Sequence, residues 1–243
     1  METDGRFVEH TAHRRRRVRP GGLRDDILDV AQRLVATKGF ERVTIEDILS
    51  ELHVSKGAFY HYFASKSDLL QALVARMGED TRGMLLPILE DRSIPAVLKL
   101  QRTFDAAGRW KSARRDYLLS LLQVWYHDDN AVMRHRVRSD TFAWLTPLLA
   151  SVVRQGIDEG VFATRFPDHA GLAVYSLLFE VGDLLADGIL SGRAGEQAFA
   201  EATLAVAAFT DAIERVLGAQ PGSLHLIDPH VLREWYESPV PVA

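Results

Sequence analysis

The run Ser55-Lys56-Gly57-Ala58-Phe59-Tyr60-His61-Tyr62, with Thr44 upstream and Lys66 downstream, gathers hydroxyls, amines, an imidazole and two phenols into a short stretch. Such groups suit non-covalent recognition of phosphate oxygens and base edges, not bond making. Gly57 and Ala58 are small enough to let a backbone approach a partner closely. A helix starting at Lys56 would also present free N–H groups and partial positive charge to phosphate. Lys66 falls in the first turn of the following helix, where it opposes the dipole, so its reward is expected from an external anion. In the competing reading, Tyr60, His61 and Tyr62 are polar-tipped aromatics covering a core edge.

The elements around this run look like a helix-turn-helix. Ile45, Ile48, Leu49 and Leu52 recur at the helical period, and Thr44-x-x-Asp47 is a capping pattern at that helix's start. His53-Val54-Ser55 makes a three-residue turn, a length that suits two steeply crossing helices. The second helix is predicted from Lys56 to Tyr62, with Val54, Ala58 and Phe59 facing inward. Ser65-x-x-Asp68 repeats the cap for a helix expected to run from Lys66 to about Leu86, where Pro87 limits it. A preceding helix, Leu23 to Lys38, carries an Ile27, Leu28, Ala31, Leu34, Val35 stripe and ends at Gly39. Sequence-specific DNA binding is the expectation.

Arg24 through Leu70 resembles the TetR-type transcriptional regulators. The resemblance lies in Gly39-Phe40, Thr44-Ile45-x-Asp47-Ile48, Val54-Ser55-Lys56-Gly57-Ala58-Phe59-Tyr60-x-Tyr62-Phe63 and Lys66-x-x-Leu69-Leu70. It implies an all-helical homodimer with an N-terminal reading head and a larger domain that binds a small molecule. It further implies DNA-backbone contacts at Thr44, Ser55, Lys56, Tyr60, Tyr62 and Lys66, with Lys56, Gly57, Ala58 and His61 nearest the bases. The sequence departs from the family pattern at His53, where glycine is usual, and at Leu49, where alanine is common. Histidine tolerates a left-handed backbone better than β-branched residues do, so the turn is expected to survive.

The chain has 243 residues, 47% of them hydrophobic, and no cysteine, which excludes disulfides and thiolate metal sites. Its net charge of −4 divides unevenly: residues 1–76 carry 13 Lys/Arg against 11 Asp/Glu, leaving 16 against 22 for the rest. Arg14-Arg15-Arg16-Arg17-Val18-Arg19 forms a basic arm set off by Pro20-Gly21-Gly22. It could follow phosphates or enter a minor groove, or simply be a solvated tail. The acidic, polar N-terminus lacks the apolar core of a signal peptide, and no run of about 18 apolar residues occurs. A cytoplasmic protein with no membrane partner is expected.

Beyond Pro87 helices are predicted over Ile94 to Gly108, Ala113 to His127, Ala131 to Glu159, Asp168 to Leu190 and Glu196 to Leu217. The last two are apolar on several sides, so a homodimer through about 168–217 is expected, with Gly182, Ala186, Ala205 and Ala208 permitting close approach. Phe104, Trp110, Trp125, Tyr126, Phe142 and Trp144 are candidates either for the lining of a largely apolar effector pocket or for ordinary core. Arg109, Lys111, Arg114 and Arg115 could attract an acidic ligand or form a solvated face. His127, Asp128, Asp129 and His135 straddle a helix start where Asp129 or Asn130 is better read as a cap, so no metal is expected. No cofactor or nucleophile motif is found, and catalysis is not expected.

The expected protein is all-α: a disordered arm (1–22), a helix-turn-helix head (23–70), a helical effector-binding and dimerisation domain (71–220) and an extension (221–243). The leading function is a sequence-specific DNA-binding transcriptional regulator, a repressor released from a palindromic operator of double-stranded DNA by an unknown small molecule. An activator, a ligand-dependent co-repressor, or a carrier or enzyme with a structural helix-turn-helix are the alternatives.

Overall fold

The computed structural model describes residues 22–237, and the arginine arm lies outside the described residues. Among the described residues the secondary structure is helical: α1 (Gly22–Lys38), α2 (Ile45–Leu52), α3 (Lys56–Tyr60), α4 (Lys66–Glu90), α5 (Ala96–Ser112), α6 (Arg115–Trp125), a 3-10 turn (Asp128–Asn130), α7 (Ala131–Asp158), α8 (Pro167–Leu190), α9 (Gly195–Leu217) and α10 (Pro229–Glu237). No described helix is long and apolar enough to cross a membrane.

Two hydrophobic cores organise these helices. The head core holds Ile27, Leu28, Ala31, Ile48, Phe59, Phe63, Leu69 and Leu73, and it extends past residue 70 to take in Tyr117, Leu121 and Val124 of α6. The body core is built from α4, α5, α7, α8 and α9, with Leu100, Val153, Val174 and Ile213 near its centre. Helix α4 contributes to both cores. Its Leu69, Leu70, Leu73 and Val74 serve the head, and its Leu85 and Leu89 serve the body.

That double role explains why α4 runs through Pro87 instead of stopping there, contrary to the sequence expectation. An internal proline costs about 3 kcal/mol. Burying two leucines returns about 1.5–3 kcal/mol each, so Leu85 and Leu89 offset the break. At the other end, α3 stops at Tyr60, two residues sooner than expected, and His61 follows as its cap. At the start of α7, Asn130 occupies the capping position, but its Nδ2 donates to Val124 O at 2.9 Å and makes no cap. Here the Val124 carbonyl at the end of α6, which also accepts from His127 N at 3.1 Å, takes the amide.

The C-terminal extension docks on its own subunit. Leu224, Leu226, Leu232 and Tyr236 enter the body core. Buried Glu214 accepts hydrogen bonds from Gly222 N and Leu224 N, both at 2.9 Å, and so fixes the chain that leads to α10.

Helices α7 and α8 meet at Gly171, where a Cβ would stand 2.6 Å from Ala150 N and 2.9 Å from Thr146 O. Backbone cannot yield as a side chain can. Gly171→Ala is therefore expected to force the helices apart and destabilise the protein by about 1–3 kcal/mol, read as a lower urea midpoint. An unchanged midpoint would show that the contact is looser than the structure has it.

Candidate nucleic-acid interface

Local chemistry fixes the turn between α2 and α3. Thr44 and Asp47 form a reciprocal capping box: Asp47 N donates to Thr44 Oγ1 at 3.1 Å, and Thr44 N donates to Asp47 Oδ2 at 2.9 Å. His53 then adopts φ 55 and ψ 42, and its N–H bonds Leu49 O. A histidine therefore fills the left-handed position that glycine usually takes, as the turn requires.

The next cap is Ser55, whose Oγ accepts from Ala58 N at 3.3 Å. Thr44 and Ser55 each use a lone pair to cap and keep a hydroxyl proton for an outside acceptor. Ser55, Lys56 and Gly57 are all exposed. Nothing inside the head demands glycine at 57, because a Cβ there would meet Ser55 Oγ only at 3.9 Å, an ordinary contact. Its bareness is a property of the outer surface.

Phe59, fully buried and 5.5 Å from the Phe63 ring, anchors the helix. It divides the aromatic run into two functions. Tyr60 and Tyr62 remain 46% and 39% exposed, and His61 is exposed with its ring edge-on to Tyr62 at 4.8 Å. Their polar tips are therefore accessible, while Ala58 and Val54 are half-buried. Lys56 Nζ lies 3.5 Å from Glu46 Oε1, but both side chains are largely exposed. Such a pair is worth about 0–1 kcal/mol and yields readily to a phosphate.

Lys66 departs from its expected role. It is half-buried, donates to Glu41 O at 2.9 Å and lies 4.7 Å from the centre of the Phe40 ring. An otherwise open carbonyl after α1 and the negative face of a ring reward the ammonium locally, so no external anion is needed to explain it. The folded head is also not basic: residues 22–76 carry 7 Lys/Arg against 8 Asp/Glu. The folded head thus offers no net positive charge, and the α3 surface contributes shape and donors.

The six aromatics considered as a pocket do not converge. Phe104 is buried in the body core and Trp144 packs against it, while Trp125 packs against the head core. Trp110 lies under the Arg114 guanidinium at 4.7 Å. Tyr126 donates to Asp183 Oδ1 at 2.7 Å, and burial with that bond holds its phenol protonated far above the usual range. Phe142 meets Tyr175 edge-on at 5.5 Å. A cavity of about 560 Å³ lies elsewhere, between α1, α4 and the α5–α6 turn, and none of the six lines it. Arg114 and Arg115 do line it, yet their partners Arg33 and Arg76 come from helices that only the fold brings near. Among the described residues, no three His, Asp or Glu side chains gather as a metal site.

A family model for bacterial regulatory proteins of the tetR family matches residues 27–73, the span that holds this capped turn and its recognition helix. The N-terminal head matches that of the TetR family. The chain is a DNA-binding transcriptional regulator. The TetR-type chain is 24% identical over 148 residues to the transcriptional repressor KstR2 of Rhodococcus jostii, covering 58% of this chain and 68% of that protein. It is 27% identical over 84 residues to the repressor DhaR of Mycobacterium sp. (strain GP1), 35% of this chain and only 42% of DhaR. A transcriptional regulator from Saccharomonospora viridis, solved in complex with choline, superposes with a TM-score of 0.58 at 26% identity, covering 79% of this chain and 95% of that one.

Asp47 supplies a pH signature. Its carboxyl is held at about 2, first by the Thr44 backbone N–H and then by Lys38, whose Nζ lies 3.0 Å away. A depressed folded pKa contributes stability above the ordinary value near 3.8 and loses it as pH falls through about 2. The gap in melting temperature between the native protein and Asp47→Asn should therefore be widest near neutrality and shrink as pH is lowered from 5 towards 3. A gap that stays constant with pH would contradict the capping role.

Proposed function

We propose that this TetR-family regulator represses transcription by binding a palindromic operator as a homodimer, and that a small-molecule effector releases it. The observation that carries the reading is the exposed start of α3, where Ser55, Lys56 and Gly57 leave the backbone open beside accessible Tyr60, His61 and Tyr62. In this reading Thr44, Ser55, Tyr60 and Tyr62 bond phosphates, Lys56, Gly57 and Ala58 sit against the groove, and His61 reads a base edge. Lys66 sets the angle of α4 through Glu41 O more than it meets DNA.

Repression is supported by the names of KstR2 and DhaR. A small-molecule effector is supported by the choline held by the Saccharomonospora viridis regulator. The dimer is supported by α8 and α9, which leave Leu172, Leu184 and Leu204 at 38%, 43% and 71% exposure. A Cβ on Gly182 would meet no atom within 4 Å, so this face has room for a partner helix. Ala186 is instead buried within its own subunit. Two heads about 34–36 Å apart would read successive major grooves. The protein acts by binding, not catalysis, in the cytoplasm where the chromosome is reached.

Selection from a genomic fragment library at fixed salt should enrich one palindromic element bound by two protomers or two dimers. Uniform, salt-sensitive retention of all fragments would contradict the reading. On the selected element, Lys56→Ala should lower the magnitude of the salt slope by about 1. Gly57→Ala should leave stability unchanged or raise it by up to about 1 kcal/mol, while operator affinity falls about tenfold. Unchanged affinity in Gly57→Ala would remove α3 from the interface.

A further inference from the structure

The 560 Å³ cavity has a composition unlike that of an apolar effector pocket. Its walls come from α1 (Asp29 and Arg33), α4 (Arg76) and the α5–α6 turn (Ser112, Arg114 and Arg115). It is within the roughly 300–1,000 Å³ range of small-molecule sites. Four arginines against Asp29 and Asp116 leave the lining net positive.

Two of its polar atoms are buried without a protein partner: Arg76 Nη1 and Ser112 Oγ. Arg76 is divided between two tasks, because its Nη2 already pairs with Asp29 Oδ1 at 2.5 Å. A buried donor left unpaired costs about 1–3 kcal/mol, more when charged, so these two atoms favour a ligand that accepts. Other arginines are partly engaged: Arg33 with Glu51, Arg114 over the Trp110 ring, and Arg115 with Asp116 at 3.5 Å. The first turn of α6 also enters the cavity wall, and no side chain caps it, so its N–H groups add to the positive potential. Tyr117 also lines the cavity, and burial pushes its phenol up to about 12, which keeps it a neutral donor at physiological pH.

We infer that the cavity between α1, α4 and the α5–α6 turn binds a small organic anion through Arg76, Ser112 and Arg114, a carboxylate or a phosphate ester. The anion bridges the DNA-reading head to the body, because Arg33 and Asp29 move with α1 whereas Ser112 and Arg114 move with the α5–α6 turn. A ligand that prefers one spacing of these walls shifts the head by its differential affinity for the two arrangements. This regulatory consequence rests on the operator-release reading above, while the binding itself does not.

Equilibrium dialysis of the full chain with radiolabelled citrate and, separately, radiolabelled inorganic phosphate tests the site at constant ionic strength set with chloride. One saturable site per chain is expected for at least one probe. Uptake of citrate alone assigns a carboxylate ligand, and uptake of phosphate alone assigns a phosphate ester. Arg76→Gln and Arg114→Gln should each weaken it by about tenfold or more, and the exposed, distant Arg165→Gln should not. Arg76→Gln breaks the pair with Asp29 and can loosen the fold, so Arg114→Gln, whose ring contact lies outside both cores, carries the test independently. No saturable uptake of either probe, or equal uptake by all variants, would overturn the site. Saturable uptake that leaves operator affinity unchanged would overturn its regulatory role and leave the site standing.

Discussion

The packing of α6 against α1 is the contact on which the rest depends. Tyr117, Leu121 and Val124 are buried in the same core as Ile27, Ile48 and Phe59, although they lie some way along the chain from them. Burying three such side chains contributes on the order of 5–9 kcal/mol as an upper estimate, comparable with the whole stability of a small domain. A head of about 50 residues has little surface to bury by itself. Its folding therefore recruits a helix that belongs, by sequence, to the other domain. The DNA-reading unit and the body share a wall.

This shared wall gives the protein two mechanical links. One is α4, a single 25-residue helix that reaches both cores through an internal proline. The other is α6, which meets the head core with Leu121 and is joined to α5 by the turn that borders the arginine-lined cavity. Packed cores are not continuously deformable, so a change in spacing at either link is transmitted as a shift of the whole head. Phe59 and Phe63 hold α3 against the head core, while Tyr60, His61 and Tyr62 stay outside it.

What could be read in advance followed from local rules. Thr44, Ser55 and Ser65 are caps because each accepts from the backbone three residues on, a relation contained in four consecutive letters. The left-handed His53 was expected for a different reason, because the family resemblance puts it where glycine is usual. The errors arose where a distant group outbid a local preference. Pro87 failed to end α4 because the body core holds the residues on either side of it. Asn130 abandoned its cap for Val124 O, and Lys66 found Glu41 O and the Phe40 ring across a separation that no local pattern encodes. The six aromatics share a region of sequence but distribute over two cores and the surface between helices. Arg33 and Arg76 belong with Arg114 only after α1, α4 and the α5–α6 turn are brought together.

Hydrogen exchange of the free and operator-bound protein tests the link between DNA recognition and α6 most directly. Operator binding should slow exchange at residues 55–62, where the interface forms, and also along residues 115–125, which share the head's core, while the interior of α9 stays unchanged. Protection confined to residues 55–62, with α6 untouched, would contradict a head and body coupled through this contact.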